Sequence, residues 1–326
     1  MKIVQADRLE SIADYRLIDA ADPVPGSGEV CIETAYVGVG YVDALTALGG
    51  YQVKPPLPNT PGGEIAGRVV AVGDGVTGFV PGDRVMAVVR GGFAQRALAA
   101  AGSVLPIPDA MSFAQACGFR VNYLTALHGL VDRAGLQAGE RLLVLGAAGG
   151  VGLAAVQIGS ILGAEVLAAA STPEKRAFAL AGGAAQALDT ATEGWRDRLK
   201  AAGGGKGPDV VFDPLCGPLF EPTFRSLTWR GRHLVVGFVG GPIPALGANL
   251  TLMKGAALTG VDVRQFGLFE PERAGALMTR LLAWVAEGRL TPPVGREFAF
   301  TDLAAALQFA LSGKGMGKTV LRVVGD

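Results

Sequence analysis

The sequence predicts an α/β chain in two parts: a small β-rich part first, then a doubly wound parallel sheet covered by helices. Three observations carry this expectation. The first third consists of short apolar runs broken by turn residues. From about residue 123 strand-like runs alternate with helix-like ones, with Gly or Pro at most junctions. Between an apolar run at 141–145 and a helix-like stretch at 153–162 stands GAAGGVG, residues 146–152.

The 326 residues suffice for two domains of ordinary size, each with its own core. Half are hydrophobic, and 29 basic side chains balance 29 acidic ones. That balance leaves no electrostatic footprint for nucleic acid, so none is expected as a partner. Cys31, Cys117 and Cys216 lie far apart, without the paired spacing of a zinc ribbon or a disulfide framework. Such usage fits a reducing cytoplasm, and the opening MKIVQADRLE does not read as a secretory signal. The stretch 142–170 is nearly uncharged, but its glycine cluster divides it into a buried strand and a helix. No membrane span is expected.

In chain order, EVCIETAYVGV, GEIAGRVVAVG, DRVMAVVRGG and FAQRALAAAG are the strand candidates of the first part. Their spacing suits a small antiparallel, barrel-like domain, with Pro81-Gly82-Asp83 as a turn. Beyond residue 123 the strand candidates are 142–145, 166–170, 210–212, 234–236 and 257–261. Helix candidates fall near 153–162, 173–181, 192–202 and 218–227. Residues 271–287 read as an amphipathic helix, apolar at Leu277, Leu281, Leu282 and Val285. The last segment returns to strand-like and helix-like pieces and ends in GKTVLRVV.

Gly146, Gly149 and Gly152 follow a strand and open a helix, which is the setting of a dinucleotide fingerprint, though the spacing Gly-x-x-Gly-x-x-Gly is not the commoner one. A pyrophosphate needs backbone N–H groups at a helix start with no Cβ in the way. Gly149, Gly150 and Val151 are the candidates for that approach, and Gly152 for tight packing of helix on strand. The competing reading is that all these glycines only serve packing.

The end of the second strand bears on which dinucleotide binds. NAD binders place a carboxylate there, about 20 residues beyond the loop. Here the chain reads AAASTPEKR, with Ser171 at the tip and Lys175 and Arg176 just beyond. A hydroxyl and cations suit an adenosine 2′-phosphate, so NADPH is the expected cofactor. Against this, Thr172 can cap a helix with Pro173 at its first position, Lys175 can be solvated surface, and Glu174 stands close by.

The residues so far resemble a family: the zinc-independent, zeta-crystallin-like quinone oxidoreductases of the medium-chain dehydrogenase/reductase superfamily. The resemblance runs over almost the whole chain through GYQVKPPLPNTPGGEIAGRVVAVGDGVTGF, PGDRV, NYLTALHGL, GERLLVLGAAGGVGLAAVQ, STPEK, DVVFDPLCG, GRHLVVGF and GMGKTVL. It implies a GroES-like domain over 1–122, a Rossmann domain over 123–262, and a return segment over 263–326 that completes the first domain. It also implies a homodimer formed by edge pairing of the Rossmann sheets. Residue by residue, it places Thr125 at the nicotinamide amide, Gly149, Gly150 and Val151 at the pyrophosphate, and Ser171 and Lys175 at the 2′-phosphate. Phe238 and Val239 fall on the loop after strand five that lines the nicotinamide pocket.

The chain also departs from the family pattern. Gly40, in GVGYVD, stands where an Asn is usual, Tyr41 replaces Phe, and Asp43 is retained. Arg120 replaces a proline, and Cys216 takes the place of the first glycine of a pair. Positions that carry metal ligands in metal-dependent relatives read Gly40 and Gly63, so no metal is expected. His128 and His233, the two histidines of the chain, read as packed structural residues.

Without a Lewis acid, a localised alkoxide would find little stabilisation. A quinone or other conjugated carbonyl spreads the incoming charge, which makes direct hydride transfer from NADPH the expected chemistry, with orientation supplying most of the rate. Tyr41 or Tyr51 is the candidate donor to the developing oxyanion, and each is equally an ordinary packing aromatic. Arg120 either orients an acceptor oxygen or makes a structural ion pair. Asp43 is expected to hold local backbone. An enone or an enoyl or acrylyl thioester reductase is the rival within enzymes, and an NADPH sensor or RNA-binding protein without turnover is the rival outside them.

Overall fold

A computed structural model describes residues 1–324. The chain divides into two compact units, Met1–Arg120 together with the chain from Thr291 on, and Val121–Leu290. The stretch 263–290, expected with the return segment, groups with the second unit, because its long helix Pro271–Ala286 turns Leu277, Met278, Leu281, Trp284 and Val285 inward.

The first unit is a seven-stranded sheet. Its order is Val294–Ala299, Lys318–Arg322, Glu29–Val39, Glu64–Val72, Arg84–Val88 and Val104–Pro106, with Arg96–Ala100 also paired to Glu29–Val39. The strand Glu29–Val39 is its spine, antiparallel to Glu64–Val72, to Arg96–Ala100 and to Lys318–Arg322. Alternating residues of these strands, among them Val30, Ile32, Val37, Ile65, Val69, Val85 and Leu321, close on one core with Phe93 and Leu307. The pieces at 294–299 and 318–322 pair here as strands.

The second unit is a six-stranded, all-parallel sheet in the order Gln186–Asp189, Glu165–Ala170, Arg141–Leu145, Val210–Asp213, Arg232–Val235, Ala257–Gly260. Numbered within the unit this is 3-2-1-4-5-6, the dinucleotide-binding order, and the order reverses at Arg141–Leu145. Leu143, Leu145, Leu167 and Val211 point to one face, where they meet Trp195, Leu199 and Phe224. The nearly uncharged stretch 142–170 resolves into strand, helix Gly150–Ile161 and strand, and among the described residues no helix is long and apolar enough to cross a membrane.

The structure adds elements the sequence did not announce. Gln186–Asp189 is short, half-buried and flanked by Gly and Ala, so it lacks an apolar run to mark it. Arg120–Leu127 continues into a π-helical segment, His128–Arg133, immediately ahead of the sheet. The expected helices at 192–202 and 218–227 are shorter, Trp195–Ala202 and Phe220–Phe224, because Gly194 in the left-handed region starts one and Gly217 precedes the other.

Candidate active site

In the second unit the glycine loop lies where the sheet order reverses, between the carboxyl end of Arg141–Leu145 and the helix Gly150–Ile161. Gly149 is the N-cap, and the first intrahelical bond runs from the Leu153 amide to the Gly149 carbonyl at 2.8 Å. The amides of Gly150, Val151 and Gly152 therefore belong to the first turn, which has no intrahelical acceptors and suits an anion. The glycines differ in what they exclude. A Cβ on Gly152 would run into the Gly146 carbonyl, so this position requires glycine for packing. A Cβ on Gly149 would meet only the Gly146 carbonyl oxygen, at 3.5 Å, so the cap itself faces open space. A Cβ on Gly150 would lie 2.7 Å from the Asn122 amide nitrogen.

Thr125 is buried in the helix Arg120–Leu127, and its hydroxyl donates to the Val121 carbonyl at 2.6 Å. Two residues before it, Tyr123 donates to the Gln157 side chain at 2.6 Å, tying this helix to the one that follows the glycine loop. Phe238 and Val239 lie beyond strand Arg232–Val235, both partly exposed. The strand that leads into that loop is tied to the preceding loop through Asp213, a fully buried carboxylate. One oxygen accepts the amides of Leu215 and Cys216 at 2.9 and 2.8 Å, and the other pairs with His233 Nε2 at 3.0 Å. Cys216 has φ +45, in the left-handed region that glycine adopts at least cost. His128 is equally structural: its Nδ1 bonds Asp132 at 2.9 Å and its ring stacks on Phe266 at 3.8 Å.

At the tip of the second strand Ser171 is exposed, and Thr172 caps the helix Pro173–Ala181 by accepting the Lys175 amide at 3.3 Å. Burial lowers the Lys175 ammonium from its ordinary value. Arg176, expected to face a 2′-phosphate, is engaged otherwise: its Nη1 donates to the Ala170 carbonyl at 3.1 Å and to Asp189 at 2.6 Å.

The first unit holds a charge cluster drawn from four segments. The Lys318 ammonium is 3.3 Å from Glu64 Oε2, with side chains 15 % and 8 % exposed. Its alkyl stem runs past Gly38 and Gly118, where any Cβ would strike it. A Cβ on Gly40 would lie 3.3 Å from both the Lys318 nitrogen and the Asp43 carboxylate. Asp43 accepts the Gly40 amide at 2.8 Å and so fixes the start of helix Tyr41–Ala47, as the sequence suggested. Burial would lower the Lys318 ammonium, but Glu64, Asp43 and Cys117 together hold it above the ordinary lysine value. Burial raises Asp43 above the usual carboxylate range despite Lys318 and the Gly40 and Gly63 amides, and it pushes the Cys117 thiol up.

Tyr41 is the first residue of its helix and Tyr51 follows the helix end; both are half-buried. Arg120 is committed within the first unit: its Nη1 donates to the Ser103 carbonyl at 2.6 Å, and burial lowers its guanidinium against the pull of Glu64. Sequence reasoning did not find Lys318 or Glu64. The available signal was the glycine at each side of the lysine stem, but those glycines lie in different segments.

A GroES-like β unit joined to a parallel sheet with a glycine loop at its reversal point is the architecture of a two-domain, dinucleotide-dependent oxidoreductase. Residues 26–109 match the family model for the alcohol dehydrogenase GroES-like domain, and residues 150–282 match that for zinc-binding dehydrogenases. The quinone oxidoreductase of Rattus norvegicus is 33% identical over 306 residues, 93% of this chain and 92% of that protein. Escherichia coli quinone oxidoreductase complexed with NADPH superposes with TM-score 0.89 at 26% identity, over 99% of this chain and 100% of that one. The CurK enoyl reductase does so with TM-score 0.89 at 28% identity, over 98% of each chain. The chain belongs to the quinone oxidoreductase family of the medium-chain dehydrogenase/reductase superfamily, and it is an oxidoreductase.

One of these models names zinc, and the donor set here does not fit it. Gly40 and Gly63 offer no side-chain ligand, the space beside Gly40 faces a lysine ammonium, and among the described residues no three His, Cys, Asp or Glu side chains converge on a point that could hold a metal ion.

Proposed function

We propose that this chain is a cytoplasmic, zinc-independent reductase that uses NADPH to reduce a quinone or another conjugated carbonyl compound. The observation that carries the reading is the strand–GAAGGVG–helix unit at the point where the sheet order reverses, followed one strand later by a tip with Ser171 and Lys175 in place of a carboxylate. A relative with the same fold is described as complexed with NADPH. NADPH, when bound, supplies the hydride.

The residues divide the remaining work. The first-turn amides of Gly150, Val151 and Gly152, capped by Gly149, receive the pyrophosphate. Ser171 and Lys175 receive the 2′-phosphate. Thr125, Phe238 and Val239 border the nicotinamide. Tyr41 or Tyr51 donates to the oxygen on which charge develops, and Arg120, whose Nη1 donates to the Ser103 carbonyl, is the candidate to orient an acceptor oxygen. A conjugated acceptor suits this donor set because it delocalises the charge that a metal would otherwise have to meet.

Two copies pair through the edge strand Ala257–Gly260, which carries exposed Leu258 and is preceded by exposed Leu252 and Met253. The likeness to the CurK enoyl reductase supports an enoyl thioester as the second acceptor class.

The test is the initial rate of NADPH oxidation with a simple quinone, a matched enone and an acryloyl thioester, with NADH as control. Fastest turnover of the quinone with NADPH is expected. Turnover of the thioester alone would move the assignment to the second class, and absence of turnover with retained NADPH binding would make the chain a sensor.

A further inference from the structure

The helix Pro173–Ala181 and the two strand tips beside it carry more charge than a 2′-phosphate site needs. Lys175 and Arg176 contribute two cations, and Glu174 and Asp189 contribute two carboxylates that cancel them. Asp189 was not apparent from the sequence, because it ends a strand that the sequence did not announce.

Its placement is fixed from both sides. Asp189 is in parallel register with Ala170, the residue directly before Ser171, and adjacent strands lie about 4.8 Å apart. One carboxylate oxygen accepts the Ala191 amide at 2.8 Å, and the other accepts from Arg176 at 2.6 Å. Arg176 in turn donates to the Ala170 carbonyl, so it bridges both strand tips from the helix.

We infer that Asp189 is a specificity-determining residue that restrains the preference of this chain for a 2′-phosphorylated dinucleotide. It does so in two ways: it engages the guanidinium that would otherwise meet the phosphate, and it places a fixed negative charge one strand from where the phosphate sits. The Ala191 amide and the Arg176 cation hold the Asp189 carboxyl below the usual range, so the negative charge is present at any physiological pH. The inference rests on the NADPH reading above and concerns the same site.

The test is calorimetric binding of 2′,5′-ADP and of 5′-ADP to the full chain, which reads the 2′-phosphate without turnover. Asp189→Asn keeps the shape but removes the charge, and its single amide oxygen can accept from only one of the two donors, the Ala191 amide or Arg176. It is expected to tighten 2′,5′-ADP roughly three- to tenfold, with 5′-ADP changed by less than about twofold, and the gain should shrink as salt is raised. Asp189→Ser removes the charge with a smaller side chain and should act in the same direction if the amide variant fails to fold. Unchanged or weaker 2′,5′-ADP binding in these variants overturns the inference, as does equal tightening of both ligands.

Lys175→Met separates this from failure of the NADPH reading. If it loses 2′,5′-ADP while Asp189→Asn changes nothing, the cofactor assignment stands and the role of Asp189 falls. If the unaltered chain binds 2′,5′-ADP no better than 5′-ADP and Lys175→Met has no effect, both fall.

Discussion

At the start of the helix Gly150–Ile161 the candidate surface is main chain, taken from seven consecutive residues; the cluster around Lys318 is side chains, taken from segments near residues 40, 64, 117 and 318. The first depends on what is missing, since a Cβ at the wrong glycine closes it. The second depends on what is present, since one buried ammonium must answer the carboxyl groups of Glu64 and Asp43 out of water, beside a neutral Cys117 thiol. A site of the first kind has no titratable group of its own, so it tolerates changes of pH but not of shape. A site of the second kind responds to every change of charge.

The largest effect should come from the charged cluster. Lys318→Met removes the ammonium that lies 3.3 Å from Glu64, and breaking a buried pair from one side costs about 3–5 kcal/mol. Urea unfolding should show a loss of that size at neutral pH, and a partial recovery in acid as the carboxylates take up protons. The unaltered chain should show the complementary limb. Because the folded state raises the Lys318 ammonium, that group's contribution is complete below the ordinary lysine value of about pH 10.4 and is lost as pH rises through the raised value. A Lys318→Met variant with the same alkaline limb would show that the cluster carries no such energy.

Next in size is Gly152→Ala, which forces a methyl against the Gly146 carbonyl; overpacking of this kind costs about 1–3 kcal/mol. Melting temperature and NADPH affinity should fall together. Gly149→Ala sharpens the contrast, because its Cβ makes only an ordinary contact, 3.5 Å from the Gly146 carbonyl oxygen. Stability should change by about 0.5 kcal/mol or less while NADPH binding weakens severalfold. If both fell together, the loop would be packing alone.

The smallest effect concerns Cys216→Gly. Relief of the left-handed backbone, about 1 kcal/mol, opposes the loss of a buried side chain of similar worth, so unfolding should shift by less than about 1 kcal/mol. A large destabilisation would show that the thiol contributes beyond its packing.

The same contrast explains what could be read from the sequence. The glycine loop, the Thr172 cap and most of the parallel strands are local patterns, and each is visible within about 20 residues. Asp43 was legible as a backbone holder because its partner, the Gly40 amide, is three residues away. Lys318 and Glu64 are 254 positions apart, and neither has a local pattern that names the other. Arg176 was assigned to a phosphate from its position on the helix, but the partner that engages it ends a strand too polar and too short to announce itself.

The separation of Lys318 from Glu64 also orders events during synthesis. At about 5–20 residues per second, Glu64 leaves the ribosome about 13–51 s before the lysine it pairs with, and Asp43 a few seconds earlier still. All of Val121–Leu290 is made in that interval. The nascent chain thus holds two acids in solvent that the finished fold buries, which favours leaving the first unit open until Lys318–Arg322 arrives to join its spine strand. A chain stalled short of residue 318 is expected to show a protease-resistant core over 121–290 and cleavage throughout the segment before it.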